Sequence, residues 1–148
     1  MGTRIGLAAA FAFGLAGAAS AANQATITDV EVTPRVNKTK GTHYLSVKFV
    51  FHVDSYITSK KSLQINAQCS AGSRTLRADS FTGVSVKGLS KGDAKDGSAV
   101  LFMSDHVQDE IDGCRLRFEL HEMGRTYGDK PIGVFCYRGG RVSEGTCD

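Results

Sequence analysis

A chain of 148 residues has the length of one ordinary domain. Its 18 basic and 15 acidic residues leave a formal net charge of +3, too small an excess to imply a nucleic-acid partner. Two prolines and 17 glycines, together with many β-branched residues, argue against a helix bundle.

The N-terminus reads MGTRIGLAAAFAFGLAGAASAANQ. One basic residue, Arg4, precedes an apolar run from Ile5 to Ala19 that ends in Ala19-Ser20-Ala21. This is the pattern of a secretory signal peptide cleaved after Ala21. The run is shorter than the about 20 residues a spanning helix needs. The residue directly after the cleavage site is Ala22 and not cysteine, which argues against a lipid anchor. Residues 22–148 are therefore expected to be one exported domain, periplasmic or extracellular, with no transmembrane segment.

Strand patterns follow. VEVTPRV places Val30, Val32, Pro34 and Val36 on one face, and the proline suits an edge strand or a strand end. YLSVKFVFHVD alternates Leu45, Val47, Phe49, Phe51 and Val53 with more polar neighbours. LQINAQC repeats the pattern, with Leu63, Ile65, Ala67 and Cys69 inward and Gln64, Asn66 and Gln68 outward. SRTLRA and FTGVSVKG are weaker strands. LSKGDAKDG, with its glycines and alternating charges, reads as a solvated loop. SAVLFMS is a short continuous apolar strand. CRLRFELHE turns Cys114, Leu116, Phe118 and Leu120 inward and Arg115, Arg117, Glu119 and His121 outward. MGRTYGDKP is a turn. IGVFCYR then places Ile132, Val134 and Cys136 on one inward face, and Gly139-Gly140 makes a tight hairpin turn.

Seven or eight short strands joined by turns indicate an all-β fold, an antiparallel β-sandwich. An immunoglobulin-like arrangement is expected. The chain nevertheless lacks the buried tryptophan and the tyrosine two residues before a cysteine that mark antibody domains.

Cys69, Cys114, Cys136 and Cys147 are separated by gaps of 45, 22 and 11 residues. An even number in an oxidising compartment indicates two disulfides. No Cys-x-x-Cys is present for zinc or for thioredoxin-like redox chemistry. Three connectivities are open. Cys69 closes one inward-facing strand and Cys114 opens another, so antiparallel pairing would bring them together. Cys136 is then left for Cys147, and an eleven-residue separation is cheap to close. In a regular hairpin Cys136 would face Ser143, so this pairing requires Val142 to Cys147 to leave the ladder and fold back, with Ser143-Glu144-Gly145 as the turn.

Site motifs are few. SDHVQDEIDG gathers Asp105, Asp109, Glu110 and Asp112 but lacks the alternate carboxylates and distal Glu of a calcium loop. It reads as a solvated loop, or a single helical turn, leading into the next strand. His43 and His52 are nine residues apart and point to opposite faces; with His106 and His121 they are expected at the surface, and no metal site is predicted. Asn37-Lys38-Thr39 fits a glycosylation sequon. No nucleophile elbow or phosphate-binding loop occurs, so no catalytic residue and no cofactor is assigned. Lys87, Lys91 and Lys95 read as loop charges.

Arg115 and Arg117 project from the outer face of one strand, and Arg138 and Arg141 flank the next turn. If these strands pair, the four form a basic patch suited to an anionic glycan, an envelope component or an acidic protein surface. The function expected is non-catalytic binding of such a partner, in the manner of an inhibitor or immunity-type protein. The alternatives are a subunit of a surface assembly that pairs strands with its neighbour, and a secreted hydrolase without a legible motif.

Overall fold

The computed structural model describes residues 24–37, 39–55, 57, 61–81, 86, 88–106, 109–122 and 131–147. The leader expected at 1–21, the turn that begins at Met123 and most of the weak strand expected after Phe81 lie outside these residues.

The described residues form eight strands and no helix. They are β1 (Ala25–Asn37), β2 (Thr42–Val53), β3 (Lys61–Ala71), β4 (Arg74–Phe81), β5 (Ala94–His106), β6 (Gly113–Glu122), β7 (Pro131–Arg138) and β8 (Arg141–Glu144). A three-stranded sheet has the order β1-β2-β5 and a five-stranded sheet the order β4-β3-β6-β7-β8, with every pair antiparallel. Pro34 sits on edge strand β1, where a missing N–H costs the ladder least.

Period-two alternation builds the core. Leu45, Val47, Phe49, Phe51 and Val53 of β2 are buried, as are Leu63, Ile65, Ala67 and Cys69 of β3 and Leu116, Phe118 and Leu120 of β6. Both sheets contribute to one buried cluster. The two inner faces meet at Phe49 and Phe118, whose rings pack edge to face with centroids 5.1 Å apart. Phe118 also meets Phe135 of β7 at 5.6 Å. Each such side chain contributes about 2–3 kcal/mol by leaving water, and the edge-to-face geometry adds to it.

Four sequence expectations are corrected. Residues 94–97, read as loop, pair with Phe49 to His52 and begin β5; their polar side chains need no core, because ladder hydrogen bonds to β2 hold them. SAVLFMS is not buried throughout: Ala99, Leu101 and Met103 face inward, while Val100 and Phe102 are exposed. His43 is buried rather than superficial, since it continues the inward face of β2.

The fourth correction concerns β7. Phe118 pairs with Gly133 but Glu119 pairs with Pro131, so Ile132 is an extra residue. This bulge resets the alternation. Gly133, Phe135 and Tyr137 fall on the core side, opposite Phe118, Leu116 and Cys114, whereas Val134 and Cys136 lie opposite Arg117 and Arg115 on the outer side. Gly133 is needed there, because a Cβ would come within 2.8 Å of the Phe135 ring.

Two disulfides are present and no described cysteine is free. Cys69 and Cys114 are directly opposed across β3 and β6, and their bond lies in the core. Cys136 is bonded to Cys147 across a Cα separation of 5.1 Å. The hairpin between them turns on Gly139 and Gly140, both with positive φ (58° and 79°), as a type I′ turn requires. The fold-back is shorter than the sequence suggested. Val142, Ser143 and Glu144 stay paired with β7, and the chain turns at Gly145, which has φ 108° and donates its N–H to the Val134 carbonyl. Two disulfides fit an oxidising compartment. No helix among the described residues is long and apolar enough to cross a membrane.

Candidate functional site

The outer face of the five-stranded sheet is polar because every second residue of β3, β4 and β6 is. Register places these residues in rows across the strands. Arg77, Gln68, Arg115, Cys136 and Ser143 form one row. Asp79, Asn66, Arg117 and Val134 form the next, and Thr75, Ser70, Gly113, Arg138 and Arg141 the row on the other side. Neighbouring strands are about 4.8 Å apart, and residues two apart on one strand are separated by about 6.7 Å. Three guanidinium groups from β4 and β6 therefore stand within reach of one ligand.

Among the described residues two depressions mark this face. The larger, about 440 Å³, is lined by Arg77, Arg115, Arg117, Asn66, Gln68 and Glu119. The Arg115 guanidinium lies 3.5 Å from the Gln68 side-chain oxygen. Arg117 forms an ion pair with Glu119, which is 7% exposed, so part of its charge is neutralised within the protein. No described carboxylate pairs with Arg77 or Arg115. The second depression, about 270 Å³, has Arg115 and Arg138 on its walls together with Ser70, Thr75 and Cys147. Arg115 belongs to both.

The four arginines expected to cluster are thus divided. Arg115 and Arg117 share the face, Arg138 meets Arg115 at the smaller depression, and Arg141 sits across the hairpin from Arg138 and lines neither. Sequence reading missed Arg77, Gln68 and Asn66 as partners of this cluster. Alternation in Leu76-Arg77-Ala78 already turns Arg77 outward; only strand pairing brings it beside Gln68.

The other candidates have structural roles. The Asp112 carboxylate accepts the Gly72 N–H at 3.0 Å, and the Asp109 carboxylate packs against the same glycine. Both brace the β3–β4 turn. Residues 109–112 are loop, without a helical turn. Asp105 and His106 have side chains outside the described set, as does Lys87. The His52 Nε2 lies 2.7 Å from the Thr28 hydroxyl. Asn37 turns its side-chain oxygen back to the N–H groups of Thr39 and Lys40. Among the described residues, no three His, Cys, Asp or Glu side chains are grouped to hold a metal ion. A third depression, about 280 Å³, gathers His43, Glu110 and Tyr137 near Arg35. Among the described residues no Ser, Thr or Cys lines it.

Comparison with protein-family models, with characterised proteins and with solved structures returns no match.

Proposed function

We propose that this chain is an exported, non-catalytic binding module whose five-stranded face engages an anionic glycan. The leader at 1–21 is removed on export, and residues 22–148 form the module. The strand order supports an immunoglobulin-like reading: β1-β2-β5 faces β4-β3-β6-β7, the constant-domain arrangement with its fourth strand moved to the opposite sheet.

The observation that carries the reading is the convergence of Arg77, Arg115 and Arg117 around Gln68 and Asn66. Guanidinium groups hold carboxylate and sulfate by paired, charge-assisted hydrogen bonds, and the flanking amides both donate and accept, as sugar hydroxyls require. A protein-binding surface concentrates its energy in a few buried anchors, Trp, Tyr and Arg above all, so a protein ligand would be expected to meet aromatic side chains beside the arginines. The exposed large hydrophobics of the described residues are Val36, Val100 and Phe102, all on β1 and β5; none lies on this face.

The test uses heparin-derived oligosaccharide, oligogalacturonate and neutral dextran against the wild type and an Arg77→Ser/Arg115→Ser variant. Both acidic probes, or one of them, should bind with an affinity that falls as salt rises. Each arginine removed should weaken binding about tenfold. Equal binding of dextran, or unchanged affinity in the variant, refutes the reading. Tight capture of an acidic protein with no glycan binding refutes it in favour of a protein ligand.

A second reading, self-assembly, is favoured by one observation. Phe102 is 70% exposed and Val100 46% on the outer face of the three-stranded sheet, where Tyr44 stacks on Phe102 at 5.8 Å. Across this face Glu31 is paired with Lys48, and Arg35 on β1 and Asp96 on β5 add one charge of each sign. A neutral surface of mixed sign complements a second copy of itself, whereas the basic face would repel one.

A further inference from the structure

One end of the sandwich carries four of its connections. Asn37 pairs with Thr42 and Thr42 with His106 in one sheet, and Ser70 pairs with Gly113 and Gly113 with Arg138 in the other. The β1–β2, β3–β4 and β7–β8 turns and the β5–β6 connection therefore share that end. Loops gathered at one end of a sandwich are where such folds commonly place recognition.

The core stops short of this end. Val36 pairs with His43 just beyond the pair formed by Pro34 and the buried Leu45, so Pro34, Val36 and His43 continue the inner face of the three-stranded sheet. Tyr137 continues the core side of β7, opposite Cys114. His43 is buried, yet Val36 remains 43% exposed. An apolar side chain at an inward-facing position is thus left uncovered where the two sheets open.

That opening is the depression of about 280 Å³. Pro34, Val36 and Ile111 supply apolar walls, Tyr137 supplies a ring, and His43 lines it too. Arg35 borders it from edge strand β1 and Glu110 from the β5–β6 connection. The connection is anchored to β3 and its turn: Asp112 donates its N–H to the Ser70 carbonyl at 2.8 Å, and its carboxylate accepts the Gly72 N–H at 3.0 Å. Arg35 and Glu110 put one charge of each sign on a single partly apolar opening. Among the described residues they form no ion pair with each other.

A ligand that matches this lining carries an anion, a cation and an apolar group in one small frame. A guanidinium holds a carboxylate by paired, charge-assisted hydrogen bonds, a carboxylate accepts from an ammonium group, and an aromatic ring packs on the face or edge of a tyrosine. The volume lies below the range of pockets that enclose drug-sized ligands, about 300–1,000 Å³, and suits one amino acid rather than a peptide. We infer that this end of the sandwich is a second ligand site that takes a free aromatic α-amino acid in its zwitterionic form, with the carboxylate on Arg35, the ammonium group on Glu110 and the ring against Tyr137, Val36 and Ile111. The site is separate from the basic face and does not depend on the glycan reading.

The test is a ¹⁵N NMR titration of the exported protein, both disulfides formed, at about pH 6, where both ligand groups are ionised. The probes are phenylalanine, N-acetylphenylalanine, phenylalaninamide and alanine, and the amides of Val36, Ile111 and Tyr137 are followed. Saturable shifts at all three are expected with phenylalanine, and each of the other probes should bind about tenfold more weakly. Arg35→Ser should weaken phenylalanine binding and abolish its advantage over phenylalaninamide. Glu110→Gln should abolish its advantage over N-acetylphenylalanine. Both positions are exposed, so the variants should fold as the wild type does. Equal binding of phenylalanine and either blocked derivative overturns the zwitterion assignment, and equal binding of alanine overturns the aromatic one. Absence of shifts at the three amides, shifts confined to Arg77 and Arg115, or affinity unchanged in both variants overturns the site.

Discussion

Cys136 pairs with Arg115 across the β6–β7 ladder, so its disulfide to Cys147 lies on the outer side of the sheet, beside the basic face. The Cys69–Cys114 bond lies on the other side, inside the core. Two staples on opposite faces of one sheet have separable effects.

The outer staple closes eleven residues and the inner one 45. Loop-closure entropy then assigns about 3 kcal/mol to the first and about 4 kcal/mol to the second. Cys136→Ser/Cys147→Ser should lower the urea midpoint less than Cys69→Ala/Cys114→Ala, which also leaves a gap in the core. Urea unfolding of both variants measures the order. A reversed order would mean that the C-terminal tail carries more of the fold than its chain length implies.

Arg115 and Arg117 are alternate residues of one strand, but their removal should differ. Arg115 is exposed with one long contact to Gln68, so Arg115→Ser should change stability by no more than about 0.5 kcal/mol. Arg117→Ser strands the buried Glu119 carboxylate and should cost about 1–3 kcal/mol. Adding Glu119→Gln to Arg117→Ser should recover part of that loss, because the group left behind is then uncharged. Denaturation of the three variants and the wild type checks the pattern, and equal effects of the two single variants would contradict it.

Phe118 joins three strands through its contacts with Phe49 and Phe135 and is fully buried. Phe118→Ala should cost about 3–5 kcal/mol. Its near-ultraviolet circular dichroism should weaken along with the drop in midpoint.

Gly145 turns the chain with φ 108°, and open space surrounds the position of a Cβ. Gly145→Ala is therefore opposed by backbone strain alone, about 1–3 kcal/mol. Peptide mapping after oxidative refolding should find less Cys136–Cys147 peptide, with Cys69–Cys114 unchanged. Equal yields of both would show that the turn does not depend on glycine.

Phe102→Ser removes the most exposed aromatic of the three-stranded face. If two copies associate through that face, sedimentation should show the wild type dimerising at high concentration and the variant remaining monomeric. Monomer stability should change by less than about 1 kcal/mol. A wild type that is monomeric throughout eliminates the assembly reading.

Alternation along YLSVKFVFHVD, LQINAQC and CRLRFELHE determined which residues of β2, β3 and β6 enter the core, because a strand buried on one face must place apolar groups at every second position. The same alternation turned Arg115 and Arg117 outward, and cysteine position together with chain proximity indicated both disulfides. Tertiary structure alone decided the rest. A bulge at Ile132 moved Val134 and Cys136 to the outer face, and a bulge is a property of two paired strands rather than of one. Residues 94–97 became strand through ladder bonds to β2, which need no hydrophobic signal. Arg77 reached Arg115 only because β3 lies between β4 and β6. Strand order depends on long-range pairing, and local periodicity carries no record of which neighbour a strand will choose.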